Sequence, residues 1–185
     1  MTTTKKSPSE TLRLTLILFA FTAITALCLG LVNGITADRI AVLGTERTQA
    51  AMEAVLLADS YEPLNYTGGD GSILGVYKAG DQGFVVQLSI SGSQAMVDMV
   101  VGVDTTGAVT GIMITGHAET PGLGAIAAEN TDAGVRFREQ FVGVTGSVTV
   151  DKDGGTINSL TGATVTSRAI TNAVNNAVAA AASVA

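Results

Sequence analysis

Residues 12–35 read LRLTLILFAFTAITALCLGLVNGI, with one charged side chain, Arg13, at the edge. No other stretch limits the possible folds as strongly. Coiled as a helix, the run measures about 36 Å, enough to cross the hydrocarbon core of a bilayer. A cleaved leader is the rival reading, but its apolar region is shorter and ends in small residues. Here Ile35-Thr36-Ala37 puts a bulky side chain at the first of those positions, and large Leu27 before Cys28 speaks against a lipoprotein. The run predicts a retained transmembrane helix in contact with membrane lipid. Lys5, Lys6 and Arg13 lie on one side of it, Arg39 and Arg47 on the other. That small excess of basic residues makes 1–11 a cytoplasmic tail. The rest of the chain then lies on the extracytoplasmic side of the cell (inner) membrane.

The polar remainder is acidic. Net charge is −6 over 185 residues, and setting aside Lys5, Lys6, Arg13 and Glu10 leaves seven basic against fifteen acidic side chains. This excludes a typical nucleic-acid binder. Cys28 is the only cysteine and His117 the only histidine. A disulfide within the chain is impossible, and a zinc site lacks visible partners, so no metal is expected.

Residues 36–71 read as a helical stalk and linker. Ile40, Leu43, Ala50, Ala54 and Leu57 recur at helical spacings up to residue 58. Pro63 and Gly68-Gly69-Asp70-Gly71 then break the pattern. Four β-rich runs follow at 73–78, 84–91, 95–104 and 109–115, with connections short enough for antiparallel hairpins. Residues 132–141 predict a short helix capped by Thr131, whose Arg136 and Arg138 are candidates to meet a phosphate. A strand-like piece at 148–150 precedes the turn Asp151-Lys152-Asp153-Gly154-Gly155, which lacks the ligand spacing of a calcium loop. An alanine-rich helix at 168–182, apolar at Ile170, Val174 and Val178, closes the chain.

The chemistry concentrates just before that last helix, at Thr161-Gly162-Ala163-Thr164-Val165-Thr166-Ser167. Hydroxyls ahead of a helix serve as caps, and the N–H groups of a first helical turn attract anions. The local chemistry suits a phosphate, with Thr161, Thr166 and Ser167 as hydrogen-bonding candidates. Gly162 and Ala163 leave room for a bulky partner. A plain N-cap explains the same residues. Upstream, Glu119-Thr120-Pro121-Gly122-Leu123-Gly124 reads as a Pro-Gly turn. Nothing resembles a nicotinamide fingerprint.

Together, Ser159-Leu-Thr-Gly-Ala-Thr-Val-Thr-Ser167 and Glu119–Gly124 behind one membrane span resemble the FMN-binding domain of the G subunit of Rnf complexes. The same domain occurs in the C subunit of the sodium-pumping NADH:quinone reductase. The resemblance implies an α+β fold: an antiparallel-sheet FMN-binding domain with flanking helices over 72–185. It implies FMN joined to Thr164 by a phosphoester bond, and a flavin transferase of the ApbE type that uses FAD and a divalent metal. Glu119, Thr120, Gly122 and Leu123 would then line the flavin pocket, with Leu123 against the ring. The family usually has Asp where this chain has Asn158. The implied role is electron transfer within an ion-translocating ferredoxin:NAD oxidoreductase, beside other Rnf subunits and without catalytic side chains of the chain's own. The compact length favours the Rnf G subunit over the quinone reductase C subunit. A non-redox anchored interaction module that keeps the fold without flavin is the alternative from another class.

Overall fold

The computed structural model describes residues 8–185; the basic pair Lys5 and Lys6 lies outside them. The chain divides into two compact units, one ending at Glu46 and one spanning Arg47–Ala185. The helix α1 runs Pro8–Val55, so residues 8–11 of the stretch read as a tail before the span are already helical.

In the first unit, α1 carries no charged side chain on any side between Leu14 and Ile35. Its best 18-residue window has a mean hydropathy of 2.4 and none of it is buried. By length and composition it can cross a membrane. Leu18, Phe19, Phe21 and Leu27 are all exposed. The threonines hide their polarity locally: Thr15, Thr25 and Thr36 each donate to the carbonyl four residues back, at 2.8–2.9 Å. That bond suits an apolar surrounding, where no water takes the proton.

The second unit is built on a five-stranded antiparallel sheet in sequential order, β1 (Tyr61–Leu64), β2 (Ile73–Ala79), β3 (Gly83–Ser91), β4 (Met96–Asp104) and β5 (Val109–His117). The four strands expected from the sequence are β2 to β5. β1 falls within the stretch read as linker and contains Pro63. Its place at the sheet edge tolerates a residue with no N–H to give.

Both faces of the sheet are covered, which explains why β3 and β4 are apolar at successive positions. One face carries Val86, Leu88, Met99 and Val101 and meets Ile170, Val174 and Ala177 of the last helix, α3 (Thr164–Val184). The other carries Ala79, Val85 and Val100 and meets Ala51, Met52 and Val55 at the end of α1. The last turns of α1 are therefore core of this unit rather than stalk. The Thr110 hydroxyl donates to the Val55 carbonyl at the helix end. Gly102 lies there too, where a Cβ would meet the Val55 carbonyl.

Beyond β5 come a 3-10 turn (Gly124–Ala128), helix α2 (Asp132–Glu139) and a second 3-10 turn (Asp151–Asp153). Thr131 caps α2 as expected, accepting from the Gly134 N–H. Residues 148–150 form no strand. Val150 makes a single bridge to Ile157, because the chain turns away at Asp151.

Candidate functional site

The hydroxyl-rich motif is folded differently from the expected cap. α3 begins at Thr164, four residues before the expected start, so Thr164, Thr166 and Ser167 lie inside the helix. The N-cap position is Ala163, with no side-chain cap bond. Ser167 is fully buried and donates to the Ala163 carbonyl at 2.9 Å while accepting from the Leu160 N–H at 3.0 Å. Thr166, equally hidden, donates to Glu119 at 2.6 Å. These two hydroxyls point into the protein and are spent there. Their bonds offset the poor helix propensity of a Thr-Val-Thr-Ser start, which is why the helix extends through it.

The other two hydroxyls behave differently. Thr161 is exposed, and Thr164 is half-buried at the first position of α3; neither hydroxyl has a hydrogen bond among the described residues. The first N–H groups of α3 lack helical partners by geometry and carry its positive dipole end. Gly162 sits at φ +76°, and a Cβ there would come within 2.9 Å of Leu123 Cδ2. Leu123 therefore lies directly over the motif, 41% exposed, and Val165 is 54% exposed. A free alcohol, a helix N-terminus and uncovered apolar side chains share one corner of the unit. That donor set fits a phosphate with a flat apolar group attached.

Glu119 organises this corner from beneath. Only 5% of it is exposed. Its carboxylate accepts from the backbone N–H of Ser93 at 2.9 Å and of Gln94 at 3.0 Å, besides Thr166. Burial pushes its pKa up, but the Gln94 N–H and the Thr166 hydroxyl outweigh that and hold it below the usual range. The His117 Nδ1 accepts from the Glu119 N–H at 3.3 Å. Thr120 and Gly122 lie on the surface of the same loop, Gly122 at φ +73° in the turn that lifts Leu123 outward. The Thr120 carbonyl accepts from Leu123 and Ala125.

The stretch of chain leading into the motif is held by residues read as an ordinary turn. Asp151 accepts from both the N–H and the hydroxyl of Ser159, at 3.0 and 2.6 Å. Asp153 takes a two-pronged contact from Arg168 at 2.6 and 2.7 Å. Asn158 pairs with Gln140, whose Oε1 accepts from its N–H and its side-chain amide. The spacing of Asp151 from Ser159 carried no legible signal. Of the two candidate arginines, Arg138 is tied to the Ala127 and Glu129 carbonyls and Asn130. Arg136 lines an open groove of about 570 Å³, with Phe137, Asn158 and Thr161.

The Ser159 bonds, the hydroxyl first, hold the Asp151 carboxyl down to about 2. A depressed carboxyl stabilises the fold above its unfolded pKa and loses that effect as pH falls through the folded one. Asp151→Asn should therefore lower the thermal midpoint at pH 6. The gap from the parent chain should close as pH drops from about 4 towards 2. A gap independent of pH would show that the charge is not what holds Ser159.

Comparison with known proteins gives the family. A family model described as "FMN-binding domain" matches residues 92–179, which span Glu119, Leu123 and Thr164. The G subunit of the ion-translocating oxidoreductase complex of Methanosarcina acetivorans is 30% identical over 84% of this chain and 86% of its own length. The G subunit of the Na(+)-translocating ferredoxin:NAD(+) oxidoreductase complex of Acetobacterium woodii is 31% identical over 90% of this chain and 89% of its own. The corresponding G subunit from Aliivibrio fischeri is 30% identical over 96% and 90% respectively. With a match this long on both sides, an FMN-binding domain over the motif corner and one apolar helix before it, the chain belongs to the G-subunit family of ion-translocating (Rnf-type) oxidoreductase complexes.

Proposed function

We propose that this chain is a membrane-anchored electron carrier of an Rnf-type ferredoxin:NAD oxidoreductase, with FMN esterified through its phosphate to Thr164. The observation that carries the reading is the division of labour among the four motif hydroxyls. Two are buried and bonded, and of the two left free only Thr164 sits on the helix N-terminus. An alcohol at its ordinary pKa is a weak nucleophile, so a separate flavin transferase of the ApbE type supplies the activation. The Thr164 oxygen bonds to the FMN-side phosphorus of FAD, the pyrophosphate bond breaks, AMP leaves and the hydroxyl proton goes to the transferase or solvent. The dipole end of α3 then favours the remaining phosphate charge by about 0.3–1 kcal/mol. Leu123 and Val165 offer apolar surface to the ring.

Bound flavin would supply one- and two-electron chemistry, while the chain supplies placement and tethering. Electrons come from and go to other subunits of the complex. α1 crosses the cell membrane with the sheet-bearing unit on the extracytoplasmic side, where a covalent bond prevents loss of the cofactor. Intact mass of the chain purified from its native membrane tests this directly. One FMN less one water should be added, and peptide mapping should find it on Thr164. An unmodified chain from a host with an active transferase would refute it.

A further inference from the structure

Glu119 is the one charged side chain that is buried among the described residues. Burying a carboxylate is expensive, and an apolar contact would hold α3 to the sheet without that cost. What the carboxylate adds is direction. Its three short bonds reach two separate parts of the chain: the tip between β3 and β4, through Ser93 and Gln94, and the first turn of α3, through Thr166. The socket is cut to fit. A Cβ at Gly92 or at Gly124 would run into the carboxylate oxygens. Successive residues on a helix are about 100° apart, so locking Thr166 inward turns the position two residues earlier to the opposite side. That position is Thr164.

We infer that Glu119 is a positioning residue for flavin attachment: it fixes the rotation of α3 about its own axis so that the Thr164 hydroxyl is presented outward. Apolar packing of Ile170 and Val174 holds α3 on the sheet beyond its first turn, and the Leu160 N–H bond to Ser167 helps set the angle of that first turn. The Glu119–Thr166 bond ties the same turn to the β3–β4 tip. The same carboxylate holds the loop that carries Leu123, so alcohol and apolar surface keep one relative placement. This inference rests on Thr164 being the esterified residue, and the experiment separates the two.

The full-length chain, made without transferase, is incubated in detergent with an ApbE-type transferase, FAD and Mg²⁺, and the fluorescent band is followed after denaturing electrophoresis. Thr166→Val keeps the shape and loses the hydroxyl. It should slow attachment by about tenfold, since small misplacements of a reacting group cost that much or more. Thr166→Ser restores the hydroxyl and should stay within about twofold of the parent. A structural role alone would lower the melting temperature without this rescue of rate. Thr166→Val labelled at the parent rate would overturn the inference while leaving Thr164 in place; a labelled Thr164→Ala would instead overturn the attachment site. If Thr166→Val does not fold, Glu119→Gln decides. It keeps an acceptor for Ser93 and Gln94 but gives up the charge-assisted bonds, so the melting temperature should fall while the chain stays folded at the assay temperature, and attachment should slow about threefold. An unchanged rate would overturn the inference.

Discussion

With Thr164 changed to alanine, the chain is expected to leave the transferase reaction without a fluorescent band, and to remain folded. The first half follows from the proposed ester: alanine has no oxygen to bond to phosphorus. The second follows from what Thr164 does in the fold. It is half-buried, its hydroxyl has no partner among the described residues, and it opens a helix. Alanine is a better helix former than threonine, so the change in stability should stay within about 0.5 kcal/mol. Thr164→Ser should keep the band and Thr161→Ala should keep it as well. Thermal unfolding alongside in-gel fluorescence checks both halves. A band that persists in Thr164→Ala would move the ester to another hydroxyl, with Thr161 the first to map.

The largest loss of stability is expected from Phe137→Ala. Phe137 is 2% exposed and Phe141 fully buried. Their rings meet edge to face, with centroids 5.5 Å apart at 84°. They anchor α2 and the turn after it to the main core. Removing a buried ring of this kind costs about 3–5 kcal/mol, through lost transfer energy and the cavity left behind. A domain of ordinary stability has only about 5–15 kcal/mol in all, so the variant should be marginal. Its melting temperature should fall by about 10 °C or more. Val142→Ala nearby is the control, because Val142 is 55% exposed and should change little. A shift under about 2 °C for Phe137→Ala would mean that α2 is not part of the cooperative unit.

The apolar run, the four successive strands, the α2 cap and the two motifs were legible because each is a local property. Residues 12–35 carry their hydropathy in one stretch, and β2 to β5 carry β-branched residues between short turns. Thr131 signals α2 from its own side chain. What could not be read depends on residues far apart in the chain. β1 forms because β2 offers it an edge, which no pattern in Tyr61–Leu64 announces. The end of α1 belongs to the core because Ala79, Val85 and Val100 wait for it on the sheet's second face.

The motif shows the same division most clearly. Its composition picked out the seven residues and left two readings open, a phosphate site and a plain N-cap; the family resemblance pointed to the first. Composition did not say which hydroxyls would face outward, since any of them makes a plausible cap. That choice was made by Glu119, forty-seven positions away from Thr166, whose carboxylate draws one hydroxyl inward. Ser167 turned inward to satisfy the Leu160 N–H. Local sequence thus determined which side chains the corner can offer, because side-chain identity is local. Tertiary structure decided which oxygen is left free, because a buried polar group must find its partner wherever the fold brings one.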